Sequence, residues 1–349
     1  MANPSFDSIP VVDLTASTDD ELAAQLCSVC HEVGFLLVTN HGVDHQLVDD
    51  VFEMMHRFFA LDVEHKLLID KSTSPHFRGW EPVGSEFTND RVDVREQIDM
   101  WSQWPVAPPS PATPPAHRLL GPNPWMPDDV LAGHEELTLR WMYELGRLAD
   151  RLLGLLALGL GLASDHFAAM FGAQPMSLTK MIRYPPTPAS GAGVNAHHDT
   201  GFLTLLAPGP TAGLEVQNPD GDWIDVPTVP GTFVVNLGEM LQAMTGNYFV
   251  ATPHRVIAPS ERLSAAYFHG PSLDTPLTPI DLGPSFTAAV HASERHRTGG
   301  YMASSELTQA GVGDMESELA ATTYGEQLWN YFRRSYPANM ARHHPELTG

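Results

Sequence analysis

The chain has 349 residues, 43% of them apolar and 17% charged, a balance that excludes a disordered polyelectrolyte and supplies ample material for a core. Nineteen Lys and Arg against 42 Asp and Glu leave a formal charge of −23, so the whole-molecule field repels phosphate backbones and anionic lipid. Neither nucleic acid nor a membrane surface is expected as a partner, no obligate protein partner is inferred, and the length suits one enlarged domain.

Met1 to Ile9 lacks the basic and apolar segments of a secretion signal, and the run Leu152 to Leu162 falls short of the roughly 20 apolar residues that a membrane span needs. A cytoplasmic protein is expected. Ile9 to Leu14 is a short extended stretch. A helical pattern follows from about Asp19 to Val33, with Leu22, Ala23, Leu26, Cys27 and Cys30 on one face. Those two cysteines are the only ones; no second pair completes a zinc site, and their apolar neighbours mark them as buried. Gly34 to Asn40 predicts a strand closed by an Asn40-His41-Gly42 turn that His41 anchors, and a second helix runs from about His45 to Ala60.

Nine prolines between Pro105 and Pro127 forbid a helix or regular pairing there and predict a surface crossing anchored by Trp104, Leu119, Leu120 and Trp125. From Asp128 the pattern is helical for some thirty residues, with Asp128 or Asp129 as N-cap and Gly159 or Gly161 near the end. After about Met176 the chain breaks into short β-rich runs: 178–184, 202–207, 213–217, 223–226, 232–237, 255–257 and 263–269. Such runs, spaced by turn residues, predict a sandwich or barrel. A last helix is expected around Gly325 to Arg334.

Seventeen histidines make any one of them unremarkable, so position must single them out. His197-His198-Asp199 sets an imidazole and a carboxylate two apart, which at a strand end places both on one face and turns His198 away. His254 opens a later strand and can complete a set of two histidines and one carboxylate. Such a set leaves about three positions of an octahedral ion open, as a non-haem Fe(II) centre requires. Alone, a His-x-Asp triplet is weak; its surroundings decide. Arg262 and Ser264, two apart on one strand, can jointly hold a carboxylate.

Those surroundings resemble the iron- and 2-oxoglutarate-dependent dioxygenases of the isopenicillin N synthase type. His197-x-Asp199-x-Gly201 with Thr204-Leu205-Leu206, then Gly213 to Val216 with Trp223, Val234 to Glu239, Thr245-Gly246-Asn247, His254-Arg255-Val256 and Arg262-Leu263-Ser264 follow in the family's order. Ile9 to Leu14, Gly34 to Val43, and Phe58-Phe59 with Lys66 resemble its N-terminal pattern. The resemblance implies an α+β fold, a double-stranded β-helix (jelly roll) flanked by α-helices. Within one domain over 1–349 it implies an N-terminal region to 125, a long helix over 126–175, a jelly-roll core over 176–285 and a helical region over 286–349.

By the same resemblance, Fe(II) is held by His197, Asp199 and His254, and 2-oxoglutarate by Arg262, Ser264 and Tyr184. 2-Oxoglutarate and O2 are converted to succinate and CO2 while a small molecule is oxidised, most simply by hydroxylation. Ile182 stands where many relatives carry Asn. Lys180, on the face of Ile182 and Tyr184, is available either to an anionic substrate group or to the rim. Phe268 is expected to face inward near the co-substrate. Gly79-Trp80, Glu86, Asp93 and Arg95-Glu96 resemble the family's segment that crosses the cavity mouth. Within it, Gly84 to Thr88 is similar to the bacterial ethylene-forming enzyme and makes Glu86 and Thr88 candidates for substrate contact, although Thr200 and Ala321 depart from that enzyme. Ethylene-forming chemistry, an Fe(II) oxidase that binds its substrate carboxylate at Arg262 and Ser264, and a non-catalytic binding jelly roll are the alternatives.

Overall fold

The computed structural model describes residues 5–88, 91–108, 110, 112–187, 192–298 and 323–347; Ala321 lies outside them. The β-rich runs pair into two facing sheets. The larger is ordered β1 (Val11–Asp13), β2 (Phe35–Thr39), β12 (Phe233–Leu237), β9 (Leu203–Ala207), β14 (Arg262–His269), β7 (Leu178–Tyr184), β6 (Glu96–Trp101) and β3 (Gly79–Glu81). The smaller is ordered β11 (Trp223–Asp225), β10 (Leu214–Gln217), β13 (His254–Ile257) and β8 (Ala192–His197), and β4 (Phe87–Thr88) pairs with β5 (Arg91–Val92) as a hairpin. Strands from the N-terminal region thus extend the large sheet at both edges.

Alternation along these strands separates two apolar clusters. Phe35, Leu37, Ile182, Tyr184, Val194, Leu214, Val216, Val234 and Val256 fill the space between the sheets. The opposite face of the large sheet packs on helices α1 (Asp19–Glu32), α2 (His45–Phe59) and α5 (His134–Gly159) through residues such as Leu26, Met55, Trp141, Leu145, Met181 and Leu205. Thr18 caps α1 with a reciprocal Thr18/Glu21 box. α5 crosses α1 at Gly159, where a Cβ would stand 2.5 Å from the Ala23 carbonyl oxygen and 2.6 Å from Cys27 Cβ, so only glycine fits. Cys27 and Cys30 are buried free thiols in that seam, as expected.

The helix expected from Asp128 is split. α4 (Asp128–Leu131) stops at Leu131, and Gly133, with a φ of 76°, breaks the run before α5. Short helices α3 (Val63–Lys66), α6 (Ala168–Phe171), α7 (Glu239–Met244), α8 (Pro284–Ala292) and α9 (Glu294–Thr298) fill connections. Helices α10 (Tyr324–Ser335) and α11 (Pro337–His343) return the chain to the open end beside β3 and β6. No helix among the described residues is long and apolar enough to cross a membrane.

Candidate active site

The register of the small sheet places His254 of β13 directly opposite His197 of β8, ring centroids 4.3 Å apart. Asp199 follows in the turn into β9, with Oδ1 3.7 Å from the Nε2 of each histidine. One ligand atom from each of the three lies within 4.8 Å of the others. His197 Nδ1 donates to the Asn195 carbonyl at 2.8 Å, and His254 Nδ1 to the Thr252 carbonyl at 3.2 Å, so each Nε2 is left with its lone pair toward the centre. Asp199 Oδ2 accepts from the Thr204 hydroxyl and, at 2.7 Å, from Asn236 Nδ2, leaving Oδ1 free. Thr204 and Asn236 are cross-strand partners on β9 and β12, so the large sheet aims a carboxylate that the small sheet's histidines face.

Electrostatics suit the same task. Burial pushes both imidazoles down, His254 to about 4 with help from His197, so both are neutral donors at neutral pH. Burial alone would raise the Asp199 carboxyl, but the two imidazoles and the Thr204 and Asn236 hydrogen bonds hold it below its usual range. Two neutral nitrogens and one carboxylate oxygen are the donor set of a divalent transition ion with open positions. His198 turns away and is exposed, 3.8 Å from Glu239.

On the large sheet, Arg262 and Ser264 of β14 pair with Tyr184 and Ile182 of β7. Arg262 is 1% exposed, and its guanidinium donates to Ser264 Oγ at 3.0 Å and lies with Cζ 5.1 Å from the Tyr184 ring centroid. Among the described residues its Nε has no partner and no carboxylate is within ion-pair reach of it. Burial pushes its pKa down, against a smaller upward pull from Tyr184. A desolvated cation without a counter-ion is costly by several kcal/mol, which marks a place for an anion.

Beyond Ile182 the same face of β7, β6 and β3 is charged. Glu86 Oε2 accepts from Arg95 and Gln97, both at 2.7 Å, and Oε1 accepts from the Tyr331 hydroxyl at 3.1 Å. Lys180 sits 3.4 Å from Glu86 and 3.2 Å from Asp99, Lys71 pairs with Glu81 and Asp99, and Tyr336 donates to Glu81. Thr88 donates to Asp93 rather than pointing free. Lys180 is therefore neither a rim charge nor an unmatched cation. Phe268 lies half-buried on the Arg262 face of β14 and packs with the larger, helix-side cluster.

Two family models cover most of this architecture: a non-haem dioxygenase N-terminal model matches residues 9–128, and the 2OG-Fe(II) oxygenase superfamily model matches residues 174–271. A 2-oxoglutarate-dependent dioxygenase of Dothideomycetidae sp. is 35% identical over 81% of this chain and 80% of its own. The chain belongs to the 2-oxoglutarate- and Fe(II)-dependent oxygenases. A homoarginine-6-hydroxylase of Arabidopsis thaliana is 29% identical over 78% of this chain and 80% of its own. A full-length protein of Neurospora crassa, solved with alpha-KG and thymine, has the same fold at a TM-score of 0.73 and 22% identity, covering 96% of this chain and 100% of that one.

The oxygenase is thus an oxidoreductase that uses Fe(II), 2-oxoglutarate and O2, and its jelly-roll core is that of the superfamily. Membership favours the 2-oxoglutarate-dependent reading of its sequence over the oxidase and the non-catalytic jelly roll. Sequence reasoning gave no role to Thr204 and Asn236, or to Gln97, Asp99 and Tyr331, and placed Asp93 and Arg95 only at the cavity mouth. A signal existed for the first two: each is a lone polar residue inside an otherwise apolar strand, LTLLA and FVVNL.

Proposed function

We propose that the oxygenase hydroxylates a small molecule with a cationic end, using His197, Asp199 and His254 to hold Fe(II) and Arg262, Ser264 and Tyr184 to take the far carboxylate of 2-oxoglutarate. The buried guanidinium of Arg262, without a counter-ion among the described residues, carries the co-substrate assignment, because 2-oxoglutarate brings an anion to it. Bound Fe(II) supplies the redox chemistry by which O2 gives one oxygen atom to succinate and one to the substrate. The protein's part is positional: backbone carbonyls fix both imidazoles, Thr204 and Asn236 fix the carboxylate, and Tyr184 walls the guanidinium.

A cationic substrate end follows from charge balance. Among the described residues, Glu81, Glu86, Asp93 and Asp99 face Lys71, Lys180 and Arg95 in one connected network, four carboxylates against three cations. Burial would raise Glu86, but Arg95, Lys180 and Lys71 hold it well below the usual carboxylate range, so it stays an anion facing a guest. Homoarginine, in the name of one relative, has such an end. An anionic guest at Lys180 would have to displace Glu86 or Asp99. Glu86 and Thr88 are the proposed substrate-side residues, with Phe268 at the wall.

The test adds Fe(II) and then 2-oxoglutarate to metal-free protein without O2 and looks for the weak visible charge-transfer band of a chelated 2-oxo acid. The band is expected in wild type and absent in His197→Ala and Asp199→Ala; its persistence in either removes the ligand assignment. In air, guanidino and amino acids are expected to stimulate succinate formation more than dicarboxylic acids do, and Glu86→Gln to lose that stimulation while keeping substrate-independent decay.

A further inference from the structure

Arg95 stands where three functions meet. It precedes β6, its side chain is only 10% exposed, and its Nη2 is shared between Glu86 at 2.7 Å and Asp93 Oδ2 at 3.1 Å. Its guanidinium lies near the buried Tyr331 on the ligand side, and its charge adds to the burial that lowers His197 on the metal side. Asp93 is fully buried, and its Oδ1 accepts from the Asn195 backbone N–H at 3.2 Å and from Asn195 Nδ2 at 3.0 Å. The Asn195 carbonyl in turn holds His197 Nδ1 at 2.8 Å. An unbroken run of contacts therefore joins Glu86, through Arg95, Asp93 and Asn195, to one imidazole of the triad.

We propose that Arg95 is a positioning residue that couples the state of the Glu86 carboxylate to the orientation of His197. The inference rests on the reading of His197 as a metal ligand. One guanidinium nitrogen serving two carboxylates cannot hold both at full strength. When a cationic guest takes Glu86, Arg95 passes to Asp93 and locks that carboxylate in one place, so the Asn195 backbone that Asp93 holds, and with it the carbonyl that orients His197, is fixed. Metal and guest then favour one another, and by linkage the effect is reciprocal. Hydrogen-bond partners behind a ligand commonly change metal affinity roughly 10- to 100-fold, so the effect is large enough to measure.

Simple Coulomb attraction predicts the opposite signs, which makes the proposal decidable. If Arg95 acted only through its charge, removing it would tighten binding of a divalent cation and neutralising Glu86 would loosen it. The relay predicts the reverse. Anaerobic titration of metal-free protein with Fe(II), at saturating 2-oxoglutarate, should show Arg95→Met about 10-fold weaker than wild type. Arg95→Lys should recover part of the loss. Glu86→Gln should bind Fe(II) more tightly than wild type, and the Glu86→Gln effect should vanish in the Arg95→Met background, because Glu86 acts only through Arg95.

Unchanged or weaker Fe(II) binding by Glu86→Gln overturns the relay, and that single near-isosteric variant decides the matter should Arg95→Met not fold. Failure of wild type to bind Fe(II) would instead remove the ligand assignment beneath it. The two failures are distinct.

Discussion

Arg262 concentrates a conflict between stability and function in one side chain. A buried guanidinium that meets only hydroxyls among the described residues costs folding free energy in the empty protein, and the same cost makes it a strong receptor for an anion. Arg262→Met, similar in volume and uncharged, is therefore predicted to weaken 2-oxoglutarate binding by roughly 100-fold, on the order of 3 kcal/mol for a lost charge-assisted pair. The same variant should leave the melting temperature of the ligand-free protein unchanged or raised. A lower melting temperature together with unchanged 2-oxoglutarate affinity would show Arg262 to be a packing residue. At this scale the triad was legible, because a His-x-Asp triplet before an apolar strand and a later strand-opening histidine need only chain spacing to be noticed. Thr204 and Asn236 were not, because a polar residue in an apolar strand does not say which distant atom it satisfies.

Among the elements, most β-runs of the core lie within a residue or two of their expected bounds, Leu178–Tyr184 without any shift. Each miss has its own physical cause. β6 reads Glu-Gln-Ile-Asp-Met-Trp and is buried at all six positions, its polar face turned into the charged network and its apolar face toward the helices. Charged residues on a covered face erase the contrast on which alternation depends. β8, Ala-Gly-Val-Asn-Ala-His, has too little apolar content to announce itself. The helix from Asp128 was overextended because Gly133 lies within a tolerable helical pattern, and only its positive φ reveals the break. Between β12 and α7, Gly238 packs so closely on the Asp199 turn that a Cβ would collide with the Gly201 carbonyl oxygen, while Glu239 N donates to the Asp199 carbonyl at 2.8 Å. Gly238→Ala should therefore push that turn aside and lower Fe(II) affinity at least about 10-fold with the sheets intact, as metal titration and circular dichroism would show; full affinity would mean the turn yields without moving Asp199.

Across the whole molecule, acid sensitivity is built in at sites far apart. His134 is fully buried, accepts from the Met126 N–H through Nδ1, stacks on Phe58, and is pushed down to about 4 by burial. His296, stacked on His31, is also pushed down to about 4 by burial. In the unfolded chain these imidazoles take up protons near 6.5, so their contribution is whole above that pH and is lost as pH falls from there toward 4. Glu86 and Asp199, held below their ordinary range, add to the loss lower down. The melting temperature of metal-free protein is predicted to fall steadily from about pH 7 to about pH 5, and a flat profile would contradict the neutral, buried state of these rings. Overall architecture was legible because motifs recurred in order along nearly the whole chain. The network of Lys71, Lys180, Arg95 and their carboxylates was not, since its partners lie up to 94 residues apart for Lys180 and Glu86 and are brought together only in the folded chain.

The seam in which α5 meets α1 at Gly159 gives the protein a clock. Cys30 is almost wholly shut off from solvent and Cys27 nearly so while that seam is closed, and burial raises the thiol pKa of both. A small thiol reagent in excess can modify Cys30 only during the moments when α1 lifts, so the rate of its labelling counts those openings. Fe(II) and 2-oxoglutarate bound between the sheets are expected to slow labelling in proportion to how far they stabilise the whole fold, and rapid labelling indifferent to both would place the opening of α1 outside the cooperative unit. A residue with no part in the chemistry would then report, from the unaltered sequence, how often the native molecule comes apart.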